Sequence, residues 1–299
     1  MKIGIIGRAS QAHRYQTALR ERFIEPVNLT ADIRQALIRE DPTSSLREII
    51  HASKLIGLVI ATPPHVQLAV LKAIQDFDVP MILEKPLACS YSELNDLKSL
   101  EKLQGPVFVN HPHLFDKGLN DFLSISHSDS SRRCSDIHKL VVVEGGLGPF
   151  RTNVSAFFDW GIHAVVACIA IFGEMPLDVS CESAETMTQN GGGAWEMTIT
   201  FSDTRSASLL FGNILPKKVR TIEGLDRYGK QVLSSQLPDD LWGVCAPASR
   251  LVDSFLALVN SGSSALSTKP TQIKCPTKNS FELSVRGLEL MMPYAPSPV

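Results

Sequence analysis

Over the first 118 residues, two patterns of apolar and polar positions alternate. Nearly continuous apolar runs, KIGIIG (2–7), LIGLVIATPP (55–64), VPMILEKP (79–86) and PVFVNH (106–111), predict strands covered on both faces. Between them SQAHRYQTALRERF (10–23), SSLREIIHA, HVQLAVLKAIQDF and SYSELNDLKSLEKL carry helical patterning, with Leu68, Leu71 and Ile74 on one face. Ser45-x-x-Glu48 and Ser90-x-x-Glu93 have the form of capping boxes. PVNLTAD (26–32) predicts a further strand ending in an acid. Buried strands separated by helices imply a parallel sheet joined by right-handed crossovers, a doubly wound α/β domain. Ligands of such sheets bind at the carboxyl ends of the strands, here GRAS, ATPPH, EKP and NHPH.

Past residue 118 the rhythm changes. SHSDSSRRCSD (126–136) reads as an exposed loop, HKLVVVEGG as a strand, and DWGIHAVVACIAIFG (159–173) as an apolar helix closed by Gly173. LDVSCESAETM, AWEMTITFS, SASLLFGN and KKVRTIEGL are strand-like and joined by short turns such as NGGGA, which favours antiparallel pairing. ASRLVDSFLALVNSG and SFELSVRGLELMM read as closing helices. The expectation is a dinucleotide-binding domain over 1–118 and an α+β domain with an open, mainly antiparallel sheet over 119–299.

With 299 residues, 44% apolar and 20% charged, the chain can bury a full core, and its net charge of -2 argues against a general nucleic-acid binder. No apolar run approaches the roughly 20 residues that span a bilayer, and the first residues belong to a strand rather than a leader. The six cysteines are scattered, without a CxxC pair or zinc spacing, so they are expected to be reduced thiols of a cytoplasmic protein, and no metal site is expected. Cys168 reads as a small core residue.

Three places carry candidate chemistry. A dinucleotide loop needs a Gly for the tight turn and small residues where backbone meets pyrophosphate and helix meets strand. GRASQA supplies Gly7, Ala9 and Ala12, with Arg8 between them; a plain strand–helix turn has the same composition. Asp32, about 25 residues beyond Gly7, suits an acid on the adenine ribose, or a solvated acid at a helix start. Arg8 or Arg34 would instead favour a 2′-phosphate, so NAD and NADP both remain open. In ILEKPLA, Glu84 and Lys85 follow an apolar strand, where a lysine supplies positive charge and a proton donor, or forms an ordinary surface pair. In FFDWGIHAVV, Asp159 and His163 stand four apart and share a helical face if both are helical; such an Asp orients a histidine, or merely caps its helix.

In this order the motifs GIIG, LVIATPP, ILEKPLA and DWGIH resemble the glucose–fructose oxidoreductase/inositol dehydrogenase (Gfo/Idh/MocA) family over nearly the whole length. The resemblance implies a Rossmann domain, an open antiparallel sheet that commonly makes the oligomer interface, NAD or NADP, and hydride transfer. It places the catalytic Lys on Lys85 and the catalytic Asp and His on Asp159 and His163. The cofactor would meet Gly7, Arg8, Ala9, Ala12, Asp32, Thr62, Pro63, Pro64, His65, Glu84, Lys85 and Asn110. GPFR...DWGIH looks most like members acting on sugars or nucleotide sugars. Departures are Ala9 and Ala12 for glycines, Gln67 for a histidine, Ala164 for the acid directly after the histidine, and Val166 for the acid three residues after it. The expected function is an NAD(P)-dependent oxidoreductase of a sugar-like substrate, assembled as a homo-oligomer. A cofactor-binding regulator of the same fold is the alternative.

Overall fold

The computed structural model describes residues 1–100, 103–128, 136–151, 154–173, 175–187, 192–202, 204–243, 245–261 and 280–296. They form two compact units: residues 1–110 with the described parts of 242–272 and 278–281, and residues 111–241 with 282–296. Residues 129–135 of the loop expected at 126–136 lie outside the described residues, while 117–128 is helix, so that loop does not begin at 126; of NGGGA, 190–191 lie outside and Gly192, Gly193 and Ala194 belong to a strand rather than a turn.

In the first unit β1 (Lys2–Ile6), β2 (Glu25–Asn28), β3 (Gly57–Ile60), β4 (Met81–Leu83) and β5 (Val107–Val109) form a parallel sheet ordered β2-β1-β3-β4-β5. Ile5 sits opposite Val59. Val59 sits opposite Ile82, and Ile82 opposite Phe108. The continuous apolar runs are thus explained, because Ile3, Ile5, Leu58, Val59, Ile60, Ile82 and Leu83 are all buried. Helices α1 (Ser10–Arg20), α2 (Thr30–Ala36), α3 (Pro42–Ala52), α4 (Pro64–Ile74) and α5 (Tyr91–Ser99) alternate with the strands. From β1 the chain steps outward to β2 and then returns past β1 to β3, so strand order reverses between β1 and β3. That reversal puts the ligand crevice of such a sheet beside Gly7 and Thr62.

Three local expectations change. Strand β2 stops at Asn28, because the Asn28 side chain accepts from the Thr30 backbone N–H and turns the chain into α2. Asp32 therefore lies exposed in the first turn of α2 rather than at a strand end. Helix α3 is capped by Asp41, which accepts from the Ser44 N–H, with Pro42 at its start; Ser45 lies inside the helix, and Ser45-x-x-Glu48 is no capping box. The second box is realised in part: the N-cap Ser90 accepts from the Glu93 N–H, while the Glu93 carboxylate accepts from the Cys89 N–H, one residue before the cap.

The second unit contains α6 (Lys117–Ser128) and α7 (Ala156–Phe172). Its sheet comprises β6 (Lys139–Leu147), β7 (Asp178–Met187), β8 (Gly192–Ser202), β9 (Arg205–Gly212), β10 (Ile214–Leu225) and β11 (Gln231–Gln236), ordered β11-β10-β6-β9-β8-β7. Every neighbouring pair is antiparallel except β6–β9, which is parallel because the long connection through α7, β7 and β8 separates them. On β8, Trp195, Met197, Ile199 and Phe201 are buried, while Glu196 and Thr198 are exposed on the other face. Helix α7 ends at Gly173 with φ 69°, as the sequence suggested. Two closing helices follow, α8 (Pro247–Ser261) and α9 (Ser280–Met291). The first belongs with the Rossmann unit: Phe255 packs edge-on against Phe108, and Arg22 of that unit pairs with Asp253. Cys168 is buried, and that burial pushes its thiol pKa up, as befits a core residue. Among the described residues, no helix is long and apolar enough to cross a membrane.

Candidate active site

In the first unit the candidate residues gather at the carboxyl ends of β1, β3, β4 and β5. Gly7 has φ +148°, and a Cβ there would stand 2.3 Å from the Ala61 carbonyl oxygen, so glycine is required by backbone packing at the switch point. Its N–H donates to Thr30 Oγ1 at 2.9 Å, and the Thr30 hydroxyl donates to the Gly7 carbonyl at 3.0 Å. Arg8 and Ala9 are exposed, and Ala12 is buried beneath them. Ala9 is the N-cap of α1 and supplies no side-chain bond, and the first turn of α1 has no acid. Its N–H groups therefore keep the positive end of the helix. Pro63 and Pro64 open α4, and His65 lies on its exposed first turn.

Glu84 and Lys85 follow β4 directly. Glu84 is buried, and its Oε1 accepts from the Tyr15 hydroxyl at 2.7 Å and from Asn110 Nδ2 at 2.8 Å. Burial raises its pKa against the opposing pull of Asn110, Tyr15 and the Lys85 charge. Lys85 is half-buried, and the peptide bond to Pro86 is cis.

In the second unit Asp159 and His163 both lie within α7, and both are buried. Four residues apart, they share a face. Ser155 is the N-cap, so Asp159 is not the cap of its helix. The carboxylate accepts instead from Arg151 NH1 at 3.1 Å. His163 Nδ1 stands 3.2 Å from His111 Nδ1, and His111 Nε2 stands 2.6 Å from Ser284 Oγ. Sequence reasoning missed His111; its signal was the polar NHPH immediately after a buried strand, the same signal that marked Asn110. It also missed a buried cluster beside these residues. His113 Nε2 lies 2.6 Å from Glu144 Oε2, and Arg220 Nε lies 3.2 Å from Glu144 Oε1. The Arg220 guanidinium covers the Trp160 ring at 5.1 Å.

A parallel Rossmann sheet followed by an open mixed sheet is the fold of several solved structures. A myo-inositol dehydrogenase from Corynebacterium glutamicum aligns over 99% of this chain and 96% of its own, with TM-score 0.71 and 14% identity. A Gfo/Idh/MocA family oxidoreductase from Vibrio cholerae aligns over 99% and 97%, with TM-score 0.65 and 16% identity. A protein of gentamicin A biosynthesis, solved in complex with NAD, aligns over 97% and 92%, with TM-score 0.69 and 14% identity. No family model and no curated protein matches the sequence. The chain shares the fold of these solved structures, the Gfo/Idh/MocA family protein among them.

Within that fold the departures acquire physical reasons. Gln67 is fully buried and bridges the Glu84 backbone, with Nε2 donating to the carbonyl at 2.9 Å and Oε1 accepting from the N–H at 3.1 Å. It locks the segment that carries Lys85 to α4. Ala164 and Val166 are fully buried on the all-apolar stretch of α7, where an acid would need a partner to offset its desolvation. A dinucleotide fits the first unit. Thr62 Oγ1, just past the end of β3 beside the crevice, and Asn110 Oδ1, at the end of β5, are buried there without a hydrogen-bond partner among the described residues.

Glu84 allows a test of the local electrostatics. The bonds from Tyr15 and Asn110 both fall on Oε1, so Glu84→Gln keeps those two while removing the charge, which Gln11 also approaches. Because the folded-state pKa is raised, the native state binds more protons than the unfolded chain, and ionisation costs stability as pH rises from the unfolded value of about 4.3. Glu84→Gln is expected to raise Tm over wild type at neutral pH and to change it little near pH 4. A variant less stable than wild type at pH 7 would show that the ionised carboxylate is net stabilising there.

Proposed function

We propose that the protein is an NAD(P)-dependent oxidoreductase that moves a hydride to or from a sugar-like or other small polar substrate, nucleotide sugars included. The observation that carries this reading is the pair of buried polar groups on α7. Asp159 and His163 occupy an otherwise apolar helix, each with a partner, and such costly burial suits a proton-handling site better than a fold element. When bound, the dinucleotide supplies the hydride acceptor or donor. Gly7, Arg8, Ala9 and Ala12 would hold its pyrophosphate and Asp32 its adenine ribose. Thr62, Pro63, Pro64, His65, Glu84, Lys85 and Asn110 would line the nicotinamide end. In the oxidation direction His163 takes the hydroxyl proton, and Asp159, one turn before it on α7, assists. Lys85 polarises the reacting oxygen; the roles of Lys85 and His163 are interchangeable in principle.

The protein would act in the cytoplasm, in keeping with the absence of disulfides among the described cysteines. The open sheet face, with Val141, Val143 and Leu210 half-buried among Ser208, Thr198, Thr221, Glu196 and Glu223, supports a homo-oligomer in which a second copy covers it.

Titration with NAD, NADH, NADP and NADPH by calorimetry tests the reading, and binding of at least one is expected. Ala9→Asp separates fold from function. An Asp at this N-cap accepts from the first turn of α1 and should raise the melting temperature of the ligand-free protein. The same carboxylate repels a pyrophosphate and should weaken cofactor binding at least tenfold. Equal affinity in both proteins would remove GRASQA from the cofactor site. A regulator with little turnover is favoured by one observation: the Gly7 N–H is spent on Thr30 and is not offered to a phosphate. Binding without turnover on sugar and nucleotide-sugar panels would decide for it.

A further inference from the structure

The contact between His163 and His111 is made through Nδ1 on both rings, 3.2 Å apart, with the rings edge to face at 85°. Two nitrogens at that distance hold one proton between them; two protons would clash and none would set lone pair against lone pair. The protonation of one ring therefore dictates that of the other. The far nitrogen of His111 is committed to Ser284 Oγ, and His111 and Ser284 are each about 1% exposed.

We propose that His111, held by Ser284, is a positioning residue that fixes the tautomer of His163 and shares the proton His163 takes up; this rests on the reading of His163 as the proton-handling group. In the resting pair His163 Nδ1–H donates to His111 Nδ1, and His111 Nε2–H donates to Ser284 Oγ. His163 Nε2 then carries the lone pair, the form required of a base. When a substrate O–H bond breaks, its proton forms Nε2–H on His163. The Nδ1 proton passes to His111 Nδ1, leaving His163 neutral and His111 cationic. One proton has entered and no other group has gained or lost one. The reverse transfer returns the proton to substrate in the reducing direction.

Charged groups among the described residues lie on each element packed against the pair. On α7, Asp159 lies one turn before His163 and pairs with Arg151. On the turn Pro112–Phe115, His113 is engaged by Glu144, which Arg220 also approaches. On α9, Arg286 pairs with Glu282. Each cation has an acid beside it, so the pair can carry one positive charge, and Asp159 on the shared face favours it.

The test is two-bond 15N–1H correlation spectroscopy of the 15N-labelled full chain, which reads each imidazole nitrogen directly and needs no substrate. In the wild type, His163 is expected as the Nδ1–H tautomer. On acidification between about pH 8 and pH 5, the two rings together are expected to take up one proton. His111→Gln keeps an amide oxygen as acceptor and should retain Nδ1–H on His163. His111→Phe removes it, and His163 should revert to the Nε2–H form. Ser284→Ala, the mildest change, should reduce the Nδ1–H population by freeing His111 to reverse its own tautomer. A wild-type His163 already in the Nε2–H form, uptake of two protons by the pair, or a tautomer indifferent to Ser284→Ala and His111→Phe would each overturn the proposal. Lack of turnover with an intact Nδ1–H signature would count against the dehydrogenase reading alone.

Discussion

Lys85→Met is expected to lower turnover by about a hundredfold or more once a substrate is in hand, with little change in melting temperature. The side chain is half-buried at the end of β4, and Met keeps its length and apolar stem while removing the charge. The loss should fall on kcat, because a group that polarises the reacting oxygen matters most as charge develops on it. His163→Ala should cost at least as much, but it will not be silent in stability. His163 is buried against His111, so truncation leaves a ring nitrogen unpaired, a cost of about 1–3 kcal/mol. If Lys85 and His163 serve one proton transfer, the double variant should be little worse than the poorer single one. Strict multiplication of the two losses, or wild-type turnover in either variant, would remove them from a common chemical step.

The largest effect on folding is expected from Glu144→Ala. Glu144 is 1% exposed and lies directly across the strand pair from Arg220, with His113 on its other oxygen. Removing the carboxylate strands the Arg220 guanidinium, which is 14% exposed, beside Trp160 and leaves His113 without its partner. Breaking a buried pair from one side typically costs about 3–5 kcal/mol, on the order of 10 °C in melting temperature for a domain of this size. Urea denaturation of the wild type, Glu144→Ala and Arg220→Met checks it. The double variant should recover part of the loss, because it leaves no uncompensated charge. A shift below about 1 kcal/mol in Glu144→Ala would mean that water or a neighbouring group replaces the carboxylate.

Much of this was legible in the sequence, for identifiable reasons. Strands β1, β3, β4 and β5 are buried on both faces, so their runs are continuous and mark themselves. Asp159 and His163 stood out because two titratable residues in an apolar helix break its pattern. Strand β11 escaped notice, since QVLSSQ buries only Leu233 and Ser235 and looks like loop. The cap of α3 was misplaced because DPTSSLRE offers two polar starts, and Asp41 with Pro42 wins over Ser45. Gln67 read as a lost histidine, whereas it holds the backbone of Glu84, a partner 17 residues away that no local pattern displays. Far longer separations hid His111 from Ser284, 173 residues on, and Glu144 from Arg220. Pairings made by strand register and helix packing are not written in any short window.

All seventeen residues of α7 are buried. Such a helix has no side on which neutral change can collect, so a substitution anywhere along it must be answered by a neighbour in the same step. A helix so enclosed accepts a larger or charged residue only by moving its neighbours, whereas at Arg8 and Ala9, exposed in the glycine turn, a replacement meets solvent.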